Sequence, residues 1–208
     1  MKIVRGNKLL DIFELPTGFG QVVLDLGTGD GRFIFKNAQK HPSILYIGVD
    51  PSQKQLGIYS KEATKRKLTN TLFVLAAVEN LPSELNEVAD KVFVLYPWGS
   101  LLQGVATADQ KTLQTLRTLL RPNGLLEIVY GYSSESDYGE YKRLNLDNLD
   151  IEYIKNDLIP KFETAGFTVV STELLNKSQR GNYESTWSKK LSFGRDRAVV
   201  KLVFKLSQ

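Results

Sequence analysis

The sequence predicts an α/β domain built on a mostly parallel, doubly wound sheet of seven strands, with one reversed strand and an N-terminal β-hairpin. Three observations carry this. Short apolar runs alternate with helical stretches along most of the chain. The early runs are continuously apolar, as in strands covered by helices on both faces. The chain closes strand, loop, strand with no crossover helix, which pairs the last two strands antiparallel.

The elements follow in order. "KIVRGNKLLDI" reads as two short strands about Gly6-Asn7, a hairpin over residues 1–12. "QVVLDLG" is a strand, and Gly31 to Gln39 a helix. "ILYIGVD" is a strand rich in branched residues; Ser52 to Lys67 is a helix with Ser52 as its N-cap. "TLFVLAA" and "KVFVLYP" are strands, and Asp109 to Leu120 is a helix stopped by Pro122-Asn123-Gly124. "GLLEIVYGY" is a strand, Ile151 to Ala165 a helix ended by Gly166. "FTVVSTELL" and "AVVKLVFKL" complete the sheet, joined by a basic loop over residues 176–196. The 208 residues suit one domain, 1–208.

Composition narrows the chemistry. Hydrophobic residues are 42% and charged residues 24%, as in a soluble globular protein. No apolar run approaches the roughly 18 residues of a membrane span, and no signal peptide is visible. The expectation is a cytoplasmic protein without a membrane partner, acting as a monomer. Cysteine is absent and His41 is the one histidine, so no metal site is expected. The net charge of +4 is unevenly spread. Lys177, Arg180, Lys189, Lys190, Arg195, Arg197, Lys201 and Lys205 face only Glu184 and Asp196 near the end, and Lys61, Lys65, Arg66 and Lys67 cluster on a helix. Two such groups point to an anionic partner such as nucleic acid.

"LDLGTGDGR" is the most informative stretch. Gly27, Gly29 and Gly31 follow a strand and open a helix, in G-x-G-x-G spacing rather than the G-x-G-x-x-G of dinucleotide sites. Asp25 and Asp30 would repel a pyrophosphate; a ligand with an ammonium and a sulfonium tolerates them, and S-adenosylmethionine is such a ligand. Asp50 ends the next strand, placed to accept from both ribose hydroxyls. Val78 and Glu79, after the third strand, fall beside the adenine. The two tryptophans need their own account. Trp98 sits in "YPWGSLL", where a strand runs out toward solvent, and Trp187 sits in "STWSKKLSFGRDR". Two rings closing on one mouth would hold a flat base, each stack worth roughly 1–3 kcal/mol.

In order and position these segments resemble the class I methyltransferases, a Rossmann-like fold. "YIGVDP", "AAVENLP", "YPWGSLL" and "STWSKKLSFGRDR" further resemble the aminoglycoside-resistance 16S rRNA methyltransferases of the kanamycin–apramycin type, from residue 1 to about residue 200. That resemblance implies methylation of N1 of adenine 1408 in 16S rRNA of the assembled 30S subunit, with S-adenosyl-L-methionine converted to S-adenosyl-L-homocysteine. It implies a cofactor set of Asp25, Gly27, Asp30, Asp50, Val78, Glu79, Leu95, Ser100 and Ser185, with Thr28, Gly29 and Gly31 of the same loop. It implies a base clamp of Trp98 and Trp187 with Pro97 fixing the turn, and rRNA contacts at Lys61, Lys65, Arg66, Arg143, Lys190, Arg195 and Arg197. Tyr96 stands where enzymes acting on exocyclic amines often place an acid or amide, and "SSESDYGEYKRLNLDNLD" departs most from the family pattern. Alternatives are another RNA base methyltransferase, such as one for tRNA guanine-N7, a small-molecule methyltransferase, and a non-catalytic rRNA-binding factor with this fold.

Overall fold

The structure, a computed structural model, describes residues 1–131, 137–146, 149–183 and 198–207. Strands β1 (Lys2–Arg5) and β2 (Lys8–Asp11) form the hairpin. Then come β3 (Gln21–Leu26), α1 (Arg32–Lys40), β4 (Ile44–Asp50), α2 (Gln53–Lys65), β5 (Thr71–Leu75) and β6 (Ala89–Leu95). Helices α3 (Gly99–Thr107) and α4 (Gln110–Leu119) lead into β7 (Leu120–Tyr130). Helix α5 (Tyr138–Leu144) is followed by α6 (Ile151–Tyr153), which passes through a π-helical turn, Ile154–Leu158, into α7 (Ile159–Thr164). Strand β8 (Phe167–Leu174), a short helix α8 (Lys177–Arg180) and β9 (Val200–Leu206) end the chain.

Among the described residues, all nine strands share one sheet, in the order β2-β1-β5-β4-β3-β6-β7-β9-β8. Strands β3 to β7 run parallel, and β9 lies antiparallel to both β7 and β8. The expected seven-stranded sheet is therefore present, but the hairpin is not an appendage: Ile3 pairs with Val74 and extends the sheet to nine strands. The reason is burial. Ile3 and Val4 point to opposite faces, and each joins a different core. The Ser60 hydroxyl on α2 donates to the Val4 carbonyl and accepts from the Gly6 N–H, at 2.8 and 2.9 Å, clipping the turn down.

Period-two alternation fills both cores from the same strands. Val22, Leu24 and Leu26 of β3 face α3, α4 and α7, while Val23 faces α1 and α2. In β6, Val92 and Val94 take the first face, Phe93 and Leu95 the second. Side chains start the helices as the sequence requires: Ser52 accepts from Gln55 N–H, and Asp109 from Thr112 N–H. The expected helix at Ile151 is present; its π-helical turn ends two residues before Pro160, which has no N–H to continue the ladder. The stop at Pro122-Asn123-Gly124 is instead an excursion within β7. Ala89 faces Leu120 and Lys91 faces Leu125, so the intervening residues loop out, with Asn123 at a left-handed φ of 66°. Helices α3 and α5 have no counterpart in the sequence reading. Among the described residues no helix is long and apolar enough to cross a membrane.

Candidate active site

In a parallel sheet the strand C-termini collect at one edge, and loops there share one crevice. Here the loops after β3, β4, β5 and β6 enclose a pocket of about 170 Å3. Gly27, Gly29, Asp50, Val78, Glu79 and Ser100 line it, together with Tyr96, Pro97 and Trp98. Residues singled out on four separate stretches of sequence thus meet in one cavity.

Asp50 is fixed from both sides. Its Oδ2 accepts from the Gly29 N–H at 2.9 Å, and its Oδ1 from the Ser52 N–H at 2.8 Å. Each oxygen keeps a lone pair for a hydroxyl donor. Burial raises its pKa, opposed by those two backbone bonds. Gly27 is held at a φ of 76° against Leu101, whose Cδ2 would lie 2.8 Å from an added Cβ, so a side chain there would strain the backbone and displace Leu101.

The remaining loop residues serve the pocket from behind. Asp25 is 2% exposed and accepts from the Thr28 hydroxyl at 2.6 Å. Its other oxygen, Oδ1, is buried without a hydrogen-bond partner among the described residues. Burial pushes this carboxyl up to about 7; the Thr28 hydroxyl opposes the shift, and the charges of Asp50 and Asp30 add to it. Asp30 turns toward α1, where Arg32 pairs with it at 3.0 Å and lies over the Tyr59 ring. Gly31 answers to packing: an added Cβ would stand 2.4 Å from the Phe73 ring. Leu95 lies in the core beneath α1 and α2.

The turn after β6 is the outer wall. Tyr96 adopts a φ of 47°, unusual for a bulky residue, with its ring buried and its N–H bonded to the Val129 carbonyl at 2.8 Å. Pro97 is buried, and Trp98, 37% exposed, occupies the N-cap of α3. A large ring is therefore presented at the pocket mouth with part of its surface open to a flat partner. Lys61, Lys65 and Arg66 are exposed on and just after α2, Arg66 lying over the Phe35 ring at 5.6 Å. Arg143, expected to meet RNA, forms a bidentate pair with Glu140 at 2.8 and 2.6 Å. Glu140 is not among the residues expected at the site; its i,i+3 spacing to Arg143 is a local signal of that pair, while its bond to the Gly99 N–H, 41 residues away, has no local signature. Ser185, Trp187, Lys190, Arg195 and Arg197 lie outside the described residues.

The sequence profile of the 16S rRNA (adenine(1408)-N(1))-methyltransferases matches residues 2–205. The chain belongs to this family. A methyltransferase of that name from Escherichia coli is 33% identical over 97% of both chains. Among solved structures, a tryptophan-to-alanine variant of the Catenulisporales acidiphilia 16S rRNA (adenine(1408)-N(1))-methyltransferase with cosubstrate SAM has a TM-score of 0.88. It is 28% identical and covers 100% of this chain and 97% of the other. A 30S ribosomal A1408 methyltransferase from an uncultured bacterium is 37% identical, with a TM-score of 0.78, covering 99% and 100%.

The pocket fits the cofactor of an A1408 methyltransferase on its own terms. A carboxylate oriented by two backbone donors suits a ribose diol. The unpartnered Asp25 oxygen and the exposed Glu79 set negative potential around a cationic ligand, and among the described residues no lysine or arginine lines the cavity.

Proposed function

We propose that this family member methylates N1 of adenine 1408 in 16S rRNA of assembled 30S subunits, giving aminoglycoside resistance, and that its residues catalyse by positioning. The observation that carries the residue assignment is Trp98, set by the Tyr96-Pro97 turn at the mouth of the pocket whose wall holds Asp50. S-adenosylmethionine supplies an electrophilic methyl on its sulfonium. Adenine N1 offers an in-plane lone pair and needs no deprotonation, so no general base is required. The lining matches that need: its titratable groups are Asp50, Glu79 and Tyr96, and burial pushes the Tyr96 hydroxyl up to about 12, so it keeps its proton at neutral pH.

Trp98 and Trp187 take the two faces of the flipped base. Stacking offsets the few kcal/mol of extruding it from its helix. The methylated ring is cationic, and indole faces attract such charge by roughly 0.5–2 kcal/mol. Asp25, Thr28, Gly29, Asp30 and Gly31 shape the loop, Asp50 takes the ribose, Val78 and Glu79 flank the adenine of the cofactor, and Leu95, Ser100 and Ser185 complete the set. Lys61, Lys65, Arg66, Arg143, Lys190, Arg195 and Arg197 face rRNA phosphates. The enzyme works as a cytoplasmic monomer without a metal.

Labelled cofactor incubated with 30S subunits should place one methyl at adenine 1408, read as a primer-extension stop. A stop elsewhere, or methylation of tRNA instead, refutes the assignment. Replacing Lys61, Lys65 and Arg66 together by alanine should weaken 30S binding and flatten the plot of log affinity against log salt by about 2–3 units, close to one for each phosphate that is no longer neutralised. An unchanged slope would remove α2 from the interface.

A further inference from the structure

Helix α3 starts in an unusual way. Its N-cap is Trp98, and an indole N–H is a donor that cannot accept from the exposed amides of a first turn. Its first residues, Gly99 and Ser100, add little helix propensity. The missing acceptor arrives from elsewhere: Glu140 Oε1 on α5 accepts from the Gly99 N–H at 3.3 Å. Glu140 is 8% exposed, so its charge is placed at the positive end of α3 with little water around it. Arg143 compensates that charge, Nε to Oε2 at 2.8 Å and Nη2 to Oε1 at 2.6 Å, and holds the carboxyl below its usual range. A second tie, Gln103 Nε2 to the Leu144 carbonyl at 2.9 Å, locks α5 to α3 one turn further on.

We propose that Glu140 is a positioning residue for methyl transfer: it caps α3 in place of Trp98, and so fixes the turn that presents the Trp98 ring to the substrate base. The cap position is given over to the ring that stacks, and the capping function is moved to a neighbouring helix. Arg143 serves the same purpose by orienting Glu140. This rests on the base-clamp reading of Trp98, and the test separates the two.

The comparison is between wild type, Glu140→Gln and Glu140→Ala. The Gln variant keeps an oxygen for the Gly99 N–H; the Ala variant does not. With 30S subunits and labelled S-adenosylmethionine, Glu140→Ala should lower kcat about tenfold, in the range of losing a helix cap at a stacking residue. KM for 30S should stay within about threefold, and Glu140→Gln should recover most of kcat. The second readout needs no substrate. In a Trp187→Phe background Trp98 is the sole tryptophan fluorophore, and its quenching by acrylamide should rise in Glu140→Ala and not in Glu140→Gln. Raised quenching without a kcat loss would spare the cap and sink the clamp. Unchanged quenching in Glu140→Ala, equal kcat losses in both variants, or a loss confined to KM would overturn the positioning role.

Discussion

Trp98→Ala is expected to slow methyl transfer to 30S subunits by about 5- to 150-fold, the rate equivalent of the roughly 1–3 kcal/mol that stacking a base on an aromatic ring supplies. The loss should fall on kcat, because a base held on one face only spends less time in line with the methyl. Calorimetry should find S-adenosylmethionine binding within about threefold of wild type, since Asp50 and the glycine loop, the proposed polar anchors of that ligand, are held by bonds to Gly29 and Ser52 in which the ring takes no part. Trp98→Phe should keep most of the rate, having kept a stacking face. Trp187→Ala should behave like Trp98→Ala. Wild-type turnover in both alanine variants would eliminate the clamp.

Asp25→Asn should act with opposite sign on stability and on cofactor affinity. The Asp25 carboxyl has a pKa near 3.8 in an unfolded chain and about 7 in the fold. Between those values the folded protein holds a proton that the unfolded chain has released. Raising the pH through that window therefore favours unfolding, and the loss is complete above about 7. Asparagine cannot ionise, so the variant should melt at least a few degrees above wild type at about pH 8 and show a flatter dependence below about pH 7. A cation bound over the glycine loop favours the ionised carboxylate. Wild-type affinity for S-adenosylmethionine should accordingly climb between about pH 6 and pH 8, with a proton released on binding. The variant should bind about tenfold more weakly at about pH 8 and lose that dependence, the charge being worth on the order of 1–3 kcal/mol. Thermal melts and calorimetry in two buffers of different ionisation enthalpy decide it; identical pH profiles for both proteins would show that Asp25 does not titrate near neutrality.

The sequence made the sheet legible wherever a strand is a continuous apolar run, as in Ile44–Asp50, whose bounds match the expectation residue for residue. Helices with side-chain caps at Ser52 and Asp109 were equally plain. Helix α3 was not. "GSLLQGVAT" contains two glycines and begins without a capping side chain, so its stability comes from Leu101, Leu102 and Val105 in the core and from Glu140 across the chain. Gly104 is needed there because an added Cβ would meet the Thr112 hydroxyl at 2.1 Å, a constraint no local pattern encodes. The pocket followed from topology: Asp50, Val78 and Trp98 each end a parallel strand or follow one, and parallel strands deliver their ends to one edge. What local pattern hid was the division of labour within "LDLGTGDGR". Asp30 and Gly31 look equivalent to Asp25 and Gly27 in sequence, yet they answer to Arg32 and Phe73.

The N-terminal hairpin has a consequence beyond packing. By pairing with β5 at Val74 it occupies part of the outer edge of "TLFVL", an apolar strand whose open amides would otherwise invite a strand from another molecule. The rim passes to β2, four residues long, where Lys8 and Asp11 bracket Leu9 and Leu10 with charges of both signs. Shortness and flanking charge are features that blunt an open sheet edge, so the first dozen residues finish the sheet as well as forming part of the scaffold.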